Sequence, residues 1–465
     1  MDQTLNLHSA LKKSKGEVIV VGAGLAGSEC AWQLAKRGIP VTIIEQRPQK
    51  LSAAHKTALF GELVCSNSLK STDPESAPGL LKSELDRLDS LILKSAVAAQ
   101  VPAGQALAVD RDQFSKKITD TLRNHPKVDI VNAEVEHFEE LMVSGPRGIR
   151  PVVIATGPLT GESFSKSLTQ LIGEKLYFYD AIAPIIDGAT INKGVAFLQN
   201  RHNRGALGEK SADEGDYLNC PLNEAEYRAF ITALGAAEKM EFQEFEKAIY
   251  FQGCQPIEAL LERGEKTLAF GPMKPVGLTD PRTGGQPYAC LQLRKEDLEG
   301  RSWNMVGFQT KLKYPEQKKV FRLIPGLEEA EFFRFGSIHR NTYIHSPTLL
   351  DQGFRLKKFP VFSFAGQITG VEGYLESAAI GALVGCQMAL RLGGVDDPPP
   401  PPATTALGAL AAALFDGKVK NFQPMNIHWG LVPLLGIGER DADKKRKLVT
   451  RAQRNFDHWL ALLGP

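Results

Sequence analysis

The chain lacks the features that most quickly assign a protein to a class. Its six cysteines, Cys30, Cys65, Cys220, Cys254, Cys290 and Cys386, are scattered, with no Cys-x-x-Cys pair and no spacing suited to a metal ion. That pattern argues against a zinc module or a disulfide scaffold and suits free thiols in a reducing cytoplasm. An excess of one charge is also missing, since 55 Lys and Arg stand against 53 Asp and Glu for a net charge of +2. No overall field draws the chain to nucleic acid, so any RNA contact must use local patches. The opening residues carry Lys12, Lys13 and Lys15 but no apolar stretch of the secretory kind. With no run of about eighteen apolar residues evident either, a soluble, cytoplasmic protein without a membrane segment is expected. No internal repeat is visible.

What is present points to an α/β protein of two domains. The 465 residues, 43% apolar, can bury a sizeable core and are too many for one simple domain. Glu17-Val-Ile-Val-Val21 reads as a buried strand, Ser28–Lys36 as a helix and Val41-Thr-Ile-Ile44 as a second strand, which together make a βαβ unit. Between strand and helix lies Gly22-Ala23-Gly24-Leu25-Ala26-Gly27, and Glu45 ends the next strand. This is the full context of a dinucleotide fingerprint: a tight turn, a backbone open to the pyrophosphate, a close helix, and a carboxylate for the ribose hydroxyls. Two further buried-strand patterns, at Pro151–Gly157 and Val361–Gly366, end in Thr156-Gly157 and Gly366-Gln367. Short motifs of this kind are similar to the later fingerprints of two-domain flavoproteins, which favours FAD. Segment Gly366–Ser377, with Gly370, Gly373 and Tyr374, is expected to cover the flavin, and the apolar helix after it to point its amino end at the isoalloxazine. No second Gly-x-Gly-x-x-Gly unit marks a separate nicotinamide domain, so NAD(P)H would have to meet the flavin face directly.

The expected architecture is a Rossmann-like FAD-binding domain in two parts, 16–186 and 333–395, interrupted by an α+β insertion domain at 187–332. Residues 396–465 form a proline-rich spacer, extended through Pro398–Pro402, followed by an alanine-rich helix and a basic helix near Lys444–Leu463 that sets Phe456, Trp459 and Leu463 on one face.

More specific strings occur along the chain: Cys65-Ser-Asn-Ser-Leu69, Val101-Pro-Ala-Gly104, Ala108-Val-Asp-Arg111, Asp216-Tyr-Leu-Asn-Cys-Pro221, Gly271-Pro-Met-Lys-Pro-Val-Gly277, Ala365–Tyr374, Phe422–Met425 and Trp429–Pro433. In these strings the sequence resembles the folate- and FAD-dependent tRNA (uracil-5-)-methyltransferase family, TrmFO, over about 17–434. The resemblance implies a flavin domain related to that of the tRNA wobble-uridine modification flavoproteins. It also implies 5,10-methylenetetrahydrofolate as carbon donor, NAD(P)H as electron source, an FADH2-oxidising reaction, and the T-loop uridine of tRNA, position 54, as substrate.

The chemistry makes sense of two cysteines. Uracil C5 becomes nucleophilic when a thiolate adds at C6, a second group must then take the C5 proton, and hydride from a reduced flavin completes the methyl group. Cys254 stands in Phe251–Leu260 just ahead of Pro256, which suits the first turn of a helix running to Arg263, where amide donors and dipole favour a thiolate. Cys65 lies among small polar residues. Both match the family's functional cysteines; Cys254 is read as the nucleophile and Cys65 as base or relay, an assignment that could be reversed. Cys30, Cys290, Cys386 and Cys220 are read as structural. His339, Arg340 and Tyr343, in a family-like string, are candidates for folate. Lys311, Lys313, Lys318 and Lys319, and Lys444–Lys447 with Arg451 and Arg454, are candidates for RNA.

Two departures from the family pattern are the long proline run and the apolar Ala58-Leu-Phe60 after His55-Lys-Thr57. Rival readings are the same chemistry on ribosomal RNA, a flavin disulfide reductase, and a non-catalytic tRNA-binding flavoprotein.

Overall fold

The computed structural model describes residues 7–52, 54–173, 176–205, 208–209, 215–240, 255–416, 422–435 and 443–463, with the backbone alone at 176–180, 204–205, 208–209 and 339–340. Strand β1 (Val18–Val21) leads through helix α1 (Leu25–Ala35) to β2 (Val41–Glu45), and the sheet is completed by β3 (Val128–Asn132), β4 (Val152–Ile154), Arg355–Leu356 and β5 (Phe359–Phe364). Its order is Arg355–Leu356, β5, β4, β1, β2, β3. Every pairing is parallel except the edge strand Arg355–Leu356, which runs antiparallel to β5. The central strands are unbroken β-branched runs because both their faces are covered, and β1, β2 and β4 are buried at each residue.

Register places the functional edge. Val21 lies opposite Ile44 and Ile154, and Ile154 opposite Phe364, so β1, β2, β4 and β5 end level. The chain leaves β1 toward β2 on one side and returns to β4 on the other, which makes the β1 carboxyl end a topological switch point, where ligands of such sheets bind.

One face of this sheet is covered by α1 against helix α2 (Tyr374–Leu392). A Cβ on Gly381 would lie 2.3 Å from the Ala26 carbonyl oxygen, and one on Gly385 2.8 Å from that of Cys30, so only glycine admits this approach. Helix α2 is long and largely apolar. Its length and composition meet the criteria for a membrane span, with mean hydropathy 1.2, yet 83% of the stretch is buried inside the protein. It is apolar all round because it packs on all sides.

The second sheet is antiparallel and follows the order Phe197–Leu198, Tyr217–Leu222, Ala289–Lys295, Ser302–Met305, Ile185–Asp187, Phe332–Arg334. Its core gathers Phe230, Phe308, Phe321 and Leu291, separate from that of the first sheet. A ribbon pairing Leu176–Ile182 with Ser337–Tyr343 carries the chain out and back.

The proline run is not a free spacer. Pro398 and Pro401 are buried, and the Pro399 carbonyl accepts from Trp459 Nε1 at 2.8 Å. A residue without an N–H leaves no donor to satisfy, so the run can lie against the protein as a strap. It ends at helix Ala406–Ala413, whose first turn is held by Thr405 Oγ1 and by the buried carboxyl group of Glu84, which accepts from the Ala406 and Leu407 amides at 2.7 Å each. The last helix, Lys444–Leu462, buries Leu448, Ala452, Phe456 and Trp459 on one face, as its periodicity foretells.

Burial raises the Glu84 carboxyl to about 8 against the two amide bonds that oppose the shift. A raised carboxyl contributes stability below its unfolded value of 4.5 that fades as pH climbs toward about 8. Hydrogen exchange across Ala406–Ala413, corrected for intrinsic rates, is therefore expected to lose protection over that window in the wild type and to stay flat in Glu84→Gln; equal slopes would contradict the assignment.

Candidate active site

A cleft of about 1080 Å³ opens at the switch point. Its wall is built from all three glycine motifs, with Gly22, Gly24, Leu25 and Ala26 from the first, Thr156 and Gly157 from the second, and Gln367 from the third. Backbone bonds hold these turns together: Gly22 N–H donates to Ile44 O, Ala155 N–H to Val21 O and Ala365 N–H to Ile154 O, at 2.8–3.0 Å. Gly22 sits at φ +99°, where a side chain would be strained, and a Cβ on Gly27 would lie 1.8 Å from the Gly22 carbonyl oxygen. The turn and helix α1 are thus fused. Beside Gly24 and Gly157, in contrast, an added Cβ would meet nothing within 4 Å, which leaves room for a ligand to approach the backbone.

The donor set suits a dinucleotide. No side chain caps the amino end of α1 at Gly24, so its first amides face the cleft unmet by a cap. Glu45 lines the cleft, accepts from the Ala23 amide at 2.8 Å, and is held by Arg47 Nε at 2.8 Å and Arg47 NH2 at 3.1 Å. Burial alone would raise its pKa, but the hydrogen bonds and charge of Arg47 hold the carboxyl below its ordinary value, so it is an anion at neutral pH. His55, with Nδ1 2.6 Å from Ser52 Oγ, is kept neutral by burial and the Arg47 charge, which lower it to about 4.

At the far end of the cleft stands Tyr374, the first residue of α2, after Gly373 at φ +115°. Its hydroxyl accepts from the amides of Cys65 at 2.6 Å and Ser66 at 3.1 Å. Burial, with Cys65 beside it, pushes the phenol up, so it stays neutral. From the other side Arg334 donates to the carbonyls of Val64 at 3.0 Å and Cys65 at 2.9 Å, and Arg111 donates to those of Leu63 and Cys65. The Cys65 loop is therefore gripped by three side chains from distant parts of the chain.

Among the described cysteines Cys65 alone is not buried. Cys30, Cys220 and Cys386 are raised by burial, and Cys290 is pushed up to about 12 by the same cause, which makes all four poor nucleophiles at neutral pH. Cys254 lies outside the described residues; downstream, Pro256 caps a short helix, Ile257–Leu261, rather than one reaching Arg263.

The remaining candidates separate. His339 and Arg340 sit on the ribbon strand Ser337–Tyr343, opposite Asp180 and Tyr179, with their side chains outside the description. Tyr343 is 1% exposed, donates to the Phe422 carbonyl at 3.1 Å and packs on the Phe422 ring, so it is occupied by the core. Lys311, Lys313, Lys318 and Lys319 are each paired with a glutamate, namely Glu262, Glu238, Glu331 and Glu316, and do not make a bare cationic patch. In the last helix Arg446 pairs with Asp443, and Arg451 donates to the carbonyls of Leu434 and Pro433. The apolar Ala58-Leu-Phe60 passes beneath the glycine turn, where Phe60 is fully buried under Arg123 and Gly61 N–H donates to Ala23 O at 2.9 Å.

Arg47, His55, Glu62 and Arg334 are site residues that sequence reasoning did not find. They come from segments without periodicity, and only tertiary folding brings Arg47, His55 and Glu62 to the cleft and Arg334 to the Cys65 loop. Arg111 alone stood in one of the distinctive strings, Ala108–Arg111.

Comparison with known proteins agrees with this picture. The family described as "Glucose inhibited division protein A" (GIDA) matches residues 17–396. A Geobacter sulfurreducens protein named methylenetetrahydrofolate--tRNA-(uracil-5-)-methyltransferase TrmFO is 51% identical over 446 residues, covering 96% of this chain and 99% of its own. A Geotalea uraniireducens protein of the same name is 52% identical over 449 residues, covering 97% and 100%. Among solved structures, Aquifex aeolicus GidA superposes with a TM-score of 0.67 at 16% identity, covering 96% of this chain and 74% of that one, a likeness of fold. With relatives this close along its whole length, the chain belongs to the TrmFO family, within the broader group described as glucose inhibited division protein A.

Proposed function

We propose that this protein transfers a one-carbon unit from 5,10-methylenetetrahydrofolate to C5 of a tRNA uridine, position 54 of the T loop, and reduces it to a methyl group with NAD(P)H by way of bound FAD. The observation that carries this reading is the placement of Cys65, the accessible thiol among those described, on a loop tied by Tyr374 to the wall of a dinucleotide cleft. Relatives of about half-identical sequence carry the corresponding name.

In this reading Gly22–Gly27, Thr156 and Gly157 hold the diphosphate region, Glu45 binds the adenosine ribose, and Gly366, Gln367, Gly373 and Tyr374 border the isoalloxazine. FAD, once bound and reduced by NAD(P)H, would supply the hydride that completes the methyl group. The chain's own part is thiol and proton chemistry: Cys254 adds to C6 of the uracil, which makes C5 nucleophilic; Cys65 takes the C5 proton after carbon transfer, which expels tetrahydrofolate; and hydride addition to the C5 methylene so formed expels the Cys254 thiolate from C6. Neutral Tyr374 and the two arginines fix the Cys65 backbone without drawing on its sulfur. His339 and Arg340 are proposed to face the folate, and the protein is proposed to work in the cytoplasm, with the domain partition 16–186, 187–332, 333–395 and 396–465.

The test is direct. Purified protein given unmodified tRNA transcript, labelled methylenetetrahydrofolate and NADH or NADPH should place label in 5-methyluridine at the T loop, and Cys65→Ala or Cys254→Ala should abolish it. Label confined to ribosomal RNA would favour that substrate instead, and label drawn from S-adenosylmethionine would overturn the donor.

Two simpler measurements bear on the site. Glu45→Gln, which loses a charge-assisted set of bonds, should weaken flavin affinity by about tenfold or more; unchanged affinity would remove Glu45 from the ribose site. Timed iodoacetamide labelling followed by peptide mapping should modify Cys65 before Cys30, Cys220, Cys290 and Cys386, whereas earlier labelling of any of those four would contradict the burial described.

A further inference from the structure

A second cleft, of about 1200 Å³, lies between the two sheets and shares Glu62 and Val64 with the dinucleotide cleft. The loop that leads to Cys65 forms one wall; Glu296, just after the second-sheet strand Ala289–Lys295, and Arg334, at the end of the second-sheet strand Phe332–Arg334, form the other. Three polar atoms of residues lining this cleft are buried without a partner: Glu296 Oε1, Arg334 Nε and Ser115 Oγ. Glu296 is 5% exposed, and while its Oε2 is taken by Arg111, its Oε1 accepts nothing. Arg334 spends its two terminal nitrogens on the Val64 and Cys65 carbonyls, and its Nε–H donates to nothing. A buried acceptor and a buried donor left unmet each cost stability, and both line one cleft. At its mouth Phe333 is 57% exposed, an aromatic face open for stacking, and the cations Lys56 and Arg301 stand on the rim.

We infer that this cleft is the pocket for the target base, in which Glu296 Oε1 accepts the imide N3–H of uracil, Arg334 Nε–H donates to a flanking carbonyl, and Phe333 stacks beside the ring. The inference rests on the proposed function and names the base site within it. Uracil offers an N–H next to a C=O, which matches one free acceptor beside one free donor. A pterin edge also sets an N–H beside a C=O but adds a neighbouring amino donor, so N3-methylation of the uridine, rather than the donor count, separates the base from the folate. The pocket takes the base only after it is extruded from its stack, the usual requirement for chemistry on a base, and the rim cations would meet the flanking phosphates.

Glu296→Gln gives a specific test. Arginine is only a donor, so the new amide must turn its oxygen to Arg111 and its NH2 into the cleft, which replaces an acceptor with a second donor. Binding of a T-arm RNA hairpin to the flavin-loaded protein is measured with the target uridine intact or replaced by N3-methyluridine. In the wild type, N3-methylation should weaken binding by about tenfold. Glu296→Gln should bind the uridine hairpin about tenfold more weakly than wild type and show no further loss on N3-methylation, with flavin content unchanged. Phe333→Ala, at an exposed position, should weaken both hairpins alike. Wild-type affinity indifferent to N3-methylation, or a Glu296→Gln protein that retains the wild-type preference, would overturn the pocket. Because these are binding readings, they are separable from the methylation assay: a protein that methylates tRNA yet ignores N3-methylation refutes the pocket alone.

Discussion

One hydroxyl joins the two halves of the proposed chemistry. Tyr374 begins the long helix α2 at the far end of the dinucleotide cleft, and its oxygen accepts the amides of Cys65 and Ser66, residues 309 and 308 positions away in the chain. The bond is worth having only if α2 does not slide, and its position is set by glycine. Gly381 and Gly385 let α2 lie on the backbone of α1 at Ala26 and Cys30, and Gly27 lets α1 lie on the Gly22 carbonyl. A methyl group at any of these points collides with main-chain atoms, so the cleft, the helix and the thiol loop stand or fall as one unit.

The same loop is held from the opposite side by charge. Arg111 and Arg334 both donate to its carbonyls, and Glu296 lies beside Arg111 as its counter-ion. Burial and the neighbouring Arg111 lower Arg334 to about 10, which leaves it a cation at physiological pH. Because Arg334 and Glu296 come from the second sheet and the loop from the first, the grip on Cys65 also fastens the two sheets to one another. The strand ends supply one wall of the site and the antiparallel sheet the other, which gives a physical reason for an insertion at this point of a dinucleotide fold.

Much of the first sheet was legible in the sequence. Val18–Val21 and Val41–Glu45 are β-branched and unbroken, and a glycine turn of fixed spacing lies between them, so local preference and tertiary role agree. Thr156-Gly157 and Gly366-Gln367 were legible for the same reason, each ending a buried strand. Less visible was anything that depends on partners far along the chain. Tyr343 offered an aromatic ring and a hydroxyl that looked suited to a ligand, yet Phe422 satisfies both. Four lysines in and near one helix looked like an RNA surface until their glutamates were seen. Pro398–Pro402 read as a spacer because composition gives no sign of Trp459 waiting to donate to it. Arg334 carried no local signal at all, since its role consists of bonds to residues 270 and 269 positions away.

The central claim is that flavin and thiol share one pocket through Tyr374. A crystal structure of the flavin-loaded protein measures it most directly. The account predicts that the sulfur of Cys65 lies in contact with the isoalloxazine ring, within about 4.5 Å, with the Tyr374 hydroxyl still on the Cys65 amide. A flavin seated in the cleft with its ring turned away from Cys65, and the Tyr374 bond intact, would contradict it.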